Sequence, residues 1–223
     1  MEVLNEISTL TRKLIRDPVP PNRKEAFQSK NCRMEWTDAA AAEEARNGNQ
    51  SAFRVLVERH SQLLFRLAYR MTGNEHDAED LVQETFLRAY KQISGFDGRA
   101  SFSTWLYRIC VNCSFDLLRA RKNRQERQMS NSDDSSSWLD RVAAPDPTPE
   151  RLTESGQIAG MLEPALKQLS DMERTAFVMR HFEGCTIEQI ACVLGVHTNA
   201  AKHSVFRAVQ KLRRALQPAW GVS

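Results

Sequence analysis

The chain has 223 residues, of which 41% are hydrophobic, and a formal net charge of +3. That length suits one large or two small globular domains, and no apolar run approaches the roughly 20 residues that a membrane-spanning helix needs. The amino terminus lacks the apolar stretch of a secretory signal, and five cysteines are too few, and odd in number, for a disulfide framework. We therefore expect a cytoplasmic protein.

Taken in chain order, the sequence divides at two places. Pro18, Pro20 and Pro21 break any helix that begins before them, so the residues ahead of the first domain are predicted to be poorly ordered. A second irregular stretch combines a Ser/Asp cluster with several prolines and reads as a linker. The predicted division is an extension at 1–37, a first domain at 38–128, a linker at 129–157, a second domain at 158–217 and a tail at 218–223.

Helical periodicity dominates the first domain. Apolar residues from Phe53 to Met71 recur at three- and four-residue intervals up to a stop signal at Gly73, and we predict two helices in this part. A third helix is predicted from about Asp77 to Ile93. After a loop at 94–101, Ser101 or Ser103 is expected to cap the last helix of the domain.

The second domain is predicted to contain four helices, at 158–169, at 171–182, after Thr186 and at 198–216. Ser170 and Glu173 form a capping box between the first two. No strand pattern of useful length occurs in the sequence. The predicted fold class is therefore all-α, with two small helical domains joined by a flexible linker.

The segment from Thr186 to Arg214 has the layout of a helix-turn-helix, whose second helix enters the major groove of DNA. Gly195 can adopt the positive φ that the tight turn requires. A solvated basic helix in a bundle is the alternative, but it would leave the large aromatic Phe206 at the margin of a polar face. The side chains suited to phosphate contact, base-edge hydrogen bonds and thymine-methyl contact are His197, Thr198, Asn199, Lys202, His203, Phe206 and Arg207.

Charge supports contact with a polyanion at two places. Residues 99–128 carry seven basic and two acidic side chains, and residues 158–223 carry eight and five. Residues 129–157, between them, carry two basic and six acidic side chains. The two basic blocks therefore predict two separate contacts, with the acidic block kept away from the polyanion.

The first domain contains DAEDLVQETFLRAY (77–90) and FDGRASFSTWLYRICVN (96–112), and the second contains LSDMERTAFVMRHFEGCTIEQIACVLGV (169–196) and FRAVQKLRRAL (206–216). Together these blocks resemble regions 2 and 4 of the ECF (extracytoplasmic-function) sigma factors of RNA polymerase. The resemblance implies a chain that is not an enzyme and needs no cofactor. It implies that the chain binds core RNA polymerase, directs it to promoters and helps melt the −10 region. Promoter DNA and an anti-sigma factor are the other implied partners.

The resemblance also implies roles for individual residues. The polar face of 77–91 is expected to bind the clamp of the largest polymerase subunit, and the helices at 158–182 to meet the β-flap. The loop and helix at 94–112 are expected to contact unpaired bases, with Trp105 and Tyr107 packed in the core. The implied residues are Asp77, Asp80, Gln83 and Glu84 for the polymerase, Phe96, Arg99, Phe102, Arg108 and Asn112 for the −10 bases, and Arg119, Arg121, Lys122 and Arg124 for the DNA backbone.

Region 4 is expected to read the −35 element through Lys202, His203, Phe206 and Arg207. The turn into its recognition helix reads Asn-Ala-Ala-Lys-His-Ser at 199–204, where the family reads approximately Gly-Thr-Val-Lys-Ser-Arg. The change removes a Thr and an Arg that are potential phosphate contacts. The −35 sequence of better-known members is therefore not transferable to this chain.

Two other interpretations of the chain remain open at this point. A conventional helix-turn-helix regulator would use the first domain for dimerisation or ligand sensing and would bind duplex DNA without polymerase. A helical adaptor would bind only protein. Cys110 and Cys113 have CxxC spacing, but they lie in an apolar helix and read as buried thiols, so we expect no metal site.

Overall fold

The computed structural model describes residues 9–11, 15, 36–130, 165–166 and 168–216. The described part is all-α, as predicted, and contains no strand. None of its helices is long and apolar enough to cross a membrane. Its α-helices are α1 (Asp38–Arg46), α2 (Gln50–Thr72), α3 (Glu75–Gln92), α4 (Phe102–Ser130), α5 (Asp171–His181), α6 (Ile187–Leu194) and α7 (Thr198–Leu216), with a short 3-10 turn at Ile93–Gly95.

The ends of α2 follow from its sequence. The Asn49 side chain caps the helix by accepting from the backbone N–H groups of Ser51 and Ala52, at 3.1 and 3.3 Å. The predicted stop at Gly73 is confirmed, because this glycine has a φ of +68° and donates its N–H to the Tyr69 carbonyl. The whole apolar run from 53 to 71 lies in this one helix, so the prediction of two helices from that run is wrong. Helix α1 precedes the run and contains none of its residues.

The long helix α4 begins directly after Ser101, one of the two serines predicted to cap it. Ser101 Oγ accepts from the Thr104 N–H at 3.2 Å, so Ser101 is the cap and Phe102 the first helical residue. The helix continues to Ser130, two residues beyond the predicted end of the first domain. The rest of the predicted linker lies outside the described residues.

The second domain holds its three described helices together with short, capped connections. The predicted capping box between Ser170 and Glu173 is present, and Thr186 forms another with Gln189 at the start of α6. Of the helix predicted at 158–169, the described residues are Ala165 and Leu166, which are helical, and 168–169, which form a turn. Helix α7 packs against both α5 and α6.

The two domains pack against each other. Helix α4 contacts α6, and α2 contacts α5. One continuous cluster of buried apolar side chains includes residues of both domains, such as Val111 and Ile190. The sequence predicted two domains joined by a linker, but it did not predict this contact between them.

Part of the amino-terminal extension also packs on this cluster. Residues 9–11 and 15 are helical. Thr11 is fully buried, Ile15 is buried, and Leu10 packs against the same cluster. The expectation of poor order is therefore wrong for these four residues, whereas the remainder of the region before Trp36 lies outside the described part.

Candidate DNA- and polymerase-binding surfaces

The helix-turn-helix has the geometry that its sequence predicts. Gly195 ends α6 with a φ of +65°, a left-handed conformation that side chains other than glycine rarely adopt. The Val196 N–H then donates to the Ala191 carbonyl at 3.0 Å, which closes the turn. Helix α7 therefore starts at Thr198 in a fixed direction relative to α6.

Helix α7 has one buried face and one exposed face. Ala201, Ala208 and Leu212 are buried, while Phe206 on the other side is 59% exposed. A large aromatic side chain with that exposure contributes little to the core. The residues predicted to contact the −35 element are all exposed on or just before this helix: His197, Thr198, Asn199, Lys202, His203, Phe206 and Arg207.

A buried ion pair fixes α7 on α5. Glu173 is 7% exposed, and its Oε2 accepts from Lys211 Nζ at 2.6 Å and from the Ser170 N–H at 3.0 Å. Burial alone would raise the pKa of Glu173, but the hydrogen bonds from Lys211 and Ser170 outweigh it and hold the pKa below its usual value. Lys211 therefore holds α7 on α5 through this carboxylate.

The outer side of α4 carries a row of exposed polar and basic side chains. Arg108 and Asn112 are four residues apart and share a face of the helix. Arg99, in the preceding loop, is also exposed, and its Nε donates to Asp97 Oδ2 at 2.6 Å. The predicted backbone-contacting residues Arg119, Lys122 and Arg124 are exposed, and Arg121 is half-buried.

Two residues predicted to contact the −10 bases do not lie on this surface. Phe96 is 7% exposed and Phe102 is 3% exposed, and their rings meet edge to face with centroids 5.6 Å apart. Both rings also contact Trp105, at 5.4 and 5.5 Å. The prediction that these two rings are available for stacking is wrong for this structure, because the loop before α4 folds over the helix and buries them.

A shallow pocket opens beside this aromatic cluster. Trp105, which is half-buried, forms one wall, and Lys91 at the end of α3 is exposed at the pocket. Gln92, Ser94 and Gly95 complete the lining. Lys91 was not among the predicted site residues, because only the fold brings the end of α3 beside the start of α4. Tyr107, by contrast, is buried as expected, at 4% exposed.

Some residues of the acidic face predicted to bind polymerase form ion pairs with other residues of the chain. Asp80 and Glu84 are exposed on α3, and Gln83 is half-buried. Asp77 forms an ion pair with Arg121 on α4. These two residues were predicted to serve separate surfaces, one for polymerase and one for DNA, and the structure pairs them with each other.

Further ion pairs support the same face. Arg88 donates to Glu84 at 2.7 Å and also reaches Asp116 on α4, at 3.4 Å. The Glu84 side chain remains 47% exposed despite this pair. The Glu84 carboxylate therefore remains accessible at the surface, whereas Asp77 links α3 to α4.

The CxxC thiols pack in the core. Cys110 and Cys113 are buried in α4, and burial raises the pKa of the Cys110 thiol to about 12. Across the described residues, no group of three or more His, Cys, Asp and Glu side chains is placed to hold a metal ion.

Comparison with known proteins decides between the interpretations. Family models match residues 56–124 to Sigma-70 region 2 and residues 159–212 to Sigma-70 region 4. The chain is 30% identical to the ECF RNA polymerase sigma-E factor of Haemophilus influenzae over 82% of this chain and 96% of that protein. It belongs to the ECF family of RNA polymerase sigma factors. A conventional regulator would not contain sigma region 2, which matches this chain at 56–124. The chain is therefore a transcription initiation factor.

Other relatives place the sigma factor in the same family. It is 37% identical over 158 residues to the ECF RNA polymerase sigma factor SigE of Mycolicibacterium smegmatis, covering 71% of this chain and 59% of that relative. Its fold is similar to CnrH in the structure of CnrH in complex with the cytosolic domain of CnrY, with a TM-score of 0.60 and 28% identity. That similarity covers 81% of this sigma factor and 97% of CnrH.

Proposed function

We propose that this sigma factor, bound to core RNA polymerase in the cytoplasm, reads promoters with two separate surfaces, one on α7 and one around the start of α4. The observation that carries the proposal is the exposed face of α7, where Phe206 is 59% exposed among the basic and polar residues Lys202, His203 and Arg207. Such a mixture of basic, polar and aromatic side chains suits contact with a DNA groove, whereas an aromatic ring exposed to water does not stabilise the fold.

The α7 surface is assigned to the −35 element. Lys202 and Arg207 supply phosphate and base-edge contacts, and the Phe206 ring supplies apolar contact with a thymine methyl. The helix-turn-helix geometry supports this assignment, because Gly195 and the Glu173–Lys211 pair fix α7 with its exposed face outward. Since Asn199 and His203 differ from the usual family residues, we expect a preferred −35 sequence of its own.

The −10 surface is assigned to the outer side of α4 and the adjoining pocket. An unpaired base stacks on the accessible part of Trp105, with the Lys91 ammonium group close to the phosphates. Arg108 and Asn112 supply hydrogen bonds to neighbouring bases. Phe96 and Phe102 contribute by packing behind Trp105, which fixes its ring.

The polymerase contacts are assigned to both domains. Asp80, Gln83 and Glu84 on the outer face of α3 bind the clamp of the largest subunit, and α5 with the residues before it meets the β-flap. Asp77 supports this surface only indirectly, through its pair with Arg121. The structure of CnrH, which is similar in fold, contains the cytosolic domain of CnrY as a bound protein. By analogy, the proposal includes an anti-sigma factor as a protein partner of this chain.

Alanine substitution of Lys202 and Arg207 tests the −35 assignment. The measurement is the binding of promoter DNA by core polymerase with each variant, over a range of salt concentrations. We expect each variant to lose about five- to 150-fold in affinity, corresponding to about 1–3 kcal/mol per specific contact. A residue that contacts a phosphate also lowers the salt dependence by about one unit of slope.

The matched control is Arg213→Ala, which removes another exposed arginine from the last turn of the same helix, six residues beyond Arg207 and beyond the proposed contact residues. This variant should bind promoters like the unmodified chain. Equal losses for Arg207→Ala and Arg213→Ala would show that α7 attracts DNA only by its overall charge, and would contradict the assignment.

A further inference from the structure

A hydrogen-bonded histidine lies behind the proposed −10 surface. His60 belongs to α2 and is 7% exposed, and its Nε2 lies 3.0 Å from Asp38 Oδ2 at the start of α1. A carboxylate only accepts hydrogen bonds, so Nε2 carries the proton and donates this one. The other Asp38 oxygen accepts from Arg59 Nη1 at 2.9 Å. Both oxygens of Asp38 are therefore engaged by side chains of α2.

The imidazole ring of His60 also contacts the aromatic cluster at the start of α4. Its centroid is 5.4 Å from that of the Phe102 ring. Phe102 in turn contacts Trp105 at 5.5 Å, and Trp105 forms a wall of the pocket assigned to an unpaired base. A continuous row of contacts thus runs from Asp38 through His60 and Phe102 to Trp105.

Packing alone does not account for a histidine at position 60. A buried polar ring costs free energy unless its polar atoms are hydrogen-bonded, whereas an apolar ring would contact Phe102 without that cost. The hydrogen bond to Asp38 offsets the cost of burial. It also fixes the rotation of the imidazole ring, because a hydrogen bond is directional. A phenylalanine at position 60 would pack against Phe102 without this constraint.

Helix α1 brings Asp38 close to the pocket by a second route. The helix contacts the 3-10 turn Ile93–Gly95, and Ser94 and Gly95 of that turn line the pocket. The hydrogen bond between Asp38 and His60 therefore joins α2 to the helix that packs against this part of the lining.

We propose that His60 is a positioning residue for −10 recognition. Held by Asp38, its ring orients Phe102 and so fixes the Trp105 ring at the angle on which an unpaired base stacks. This inference rests on the proposed −10 surface. An aromatic side chain contributes about five- to 150-fold in affinity per stacked base, and a ring that is free to rotate loses part of this contribution.

A double-mutant cycle with Trp105 tests this role. The measurement is the affinity of the complete complex of sigma factor and core polymerase for a single-stranded oligonucleotide from the melted region of one of its promoters. His60→Phe keeps a ring against Phe102 but removes the hydrogen bond to Asp38, and it should lose about three- to thirtyfold in affinity. In the Trp105→Ala background the same substitution should cost less than about twofold, because the ring that His60 orients is then absent.

A second pair of variants covers the case in which His60→Phe loses its helical circular dichroism. Asp38→Ala removes the acceptor of the His60 hydrogen bond at a position whose side chain is 40% exposed, and it should give a similar loss of affinity. Arg59→Gln is the matched control, because it breaks the other ion pair of Asp38 and leaves the His60 hydrogen bond in place. This control should stay within about twofold of the unmodified chain.

Equal fold-losses for His60→Phe with and without the Trp105 ring would overturn the inference, because the histidine would then affect only stability. Unchanged affinity for a folded His60→Phe or Asp38→Ala would also overturn it. The proposed function is tested separately by the unmodified complex. If that complex binds the oligonucleotide no better than a scrambled one of equal length, the −10 surface itself is wrong and the role of His60 falls with it.

Discussion

Glu173 and Lys211 form the pair on which the orientation of the recognition helix depends. The carboxylate is buried at the contact between α5 and α7, and Lys211 of α7 donates to it. Sequence alone identified Glu173 as a capping residue, because Ser170 precedes it by three positions. Its second partner, Lys211, is 38 residues away, and this pairing could not be predicted because only the tertiary structure brings the two residues together.

The depressed pKa of Glu173 predicts a pH dependence of stability. Its contribution is fully present above the unfolded-state pKa near 4.5 and is lost as pH falls through the lower folded-state pKa. Urea denaturation should therefore show Glu173→Gln less stable than the unmodified chain at pH 7, with the gap closing towards pH 3. Lys211→Met should weaken the same dependence. A gap that stays constant from pH 7 to pH 3 would contradict this account.

Other residues show where the sequence-based predictions failed. The exposure of Phe206 follows from helical spacing, and it was predicted correctly. Phe96 and Phe102 have the same aromatic character, but they sit beside a loop whose path the sequence does not reveal, and they are buried. Asp77 and Arg121 were assigned to two surfaces because their pairing joins residues far apart in the chain.

At the scale of helices, the ends were largely predictable because they depend on neighbouring residues. The capping box at Ser170 and the stop at Gly73 were identified from sequence and are present. A helix does follow Thr186, and of the two serines offered as the cap of α4 the structure uses Ser101. The end of α4 was less predictable. This helix continues to Ser130 past a run of polar residues, whose intrinsic helical preference gives no sharp boundary.

The turn of the helix-turn-helix gives a prediction at this scale. A Cβ at position 195 meets nothing within 4 Å, so the cost of Gly195→Ala comes from backbone strain at a φ of +65°. We expect the free energy of unfolding to fall by about 1 kcal/mol, together with weaker −35 binding.

Gly95→Ala is the matched control for stability. A Cβ there also has open space, and the backbone does not adopt a positive φ. Thermal or urea denaturation should place this variant within about 0.5 kcal/mol of the unmodified chain. If both alanine variants lost equal stability, the special role of the turn conformation would be contradicted.

At the scale of the whole molecule, the fold class and the two regions were predictable because each region carries dense local motifs. The packing of region 4 on region 2 was not. It depends on contacts such as that between Arg70 and Glu183, which are 113 positions apart, and on burial of a carboxylate that reads in sequence as an ordinary surface charge.

The most direct test of two-surface promoter reading is permanganate footprinting of complexes formed by cognate core polymerase on genomic promoter fragments. With the sigma factor present, we predict reactive unpaired thymines at the −10 region, and fewer of them with Arg207→Ala at promoters that carry a −35 element. Core polymerase alone and the sigma factor alone should give none. Duplex promoters that stay unreactive with both components together, or that react without polymerase, would contradict the account.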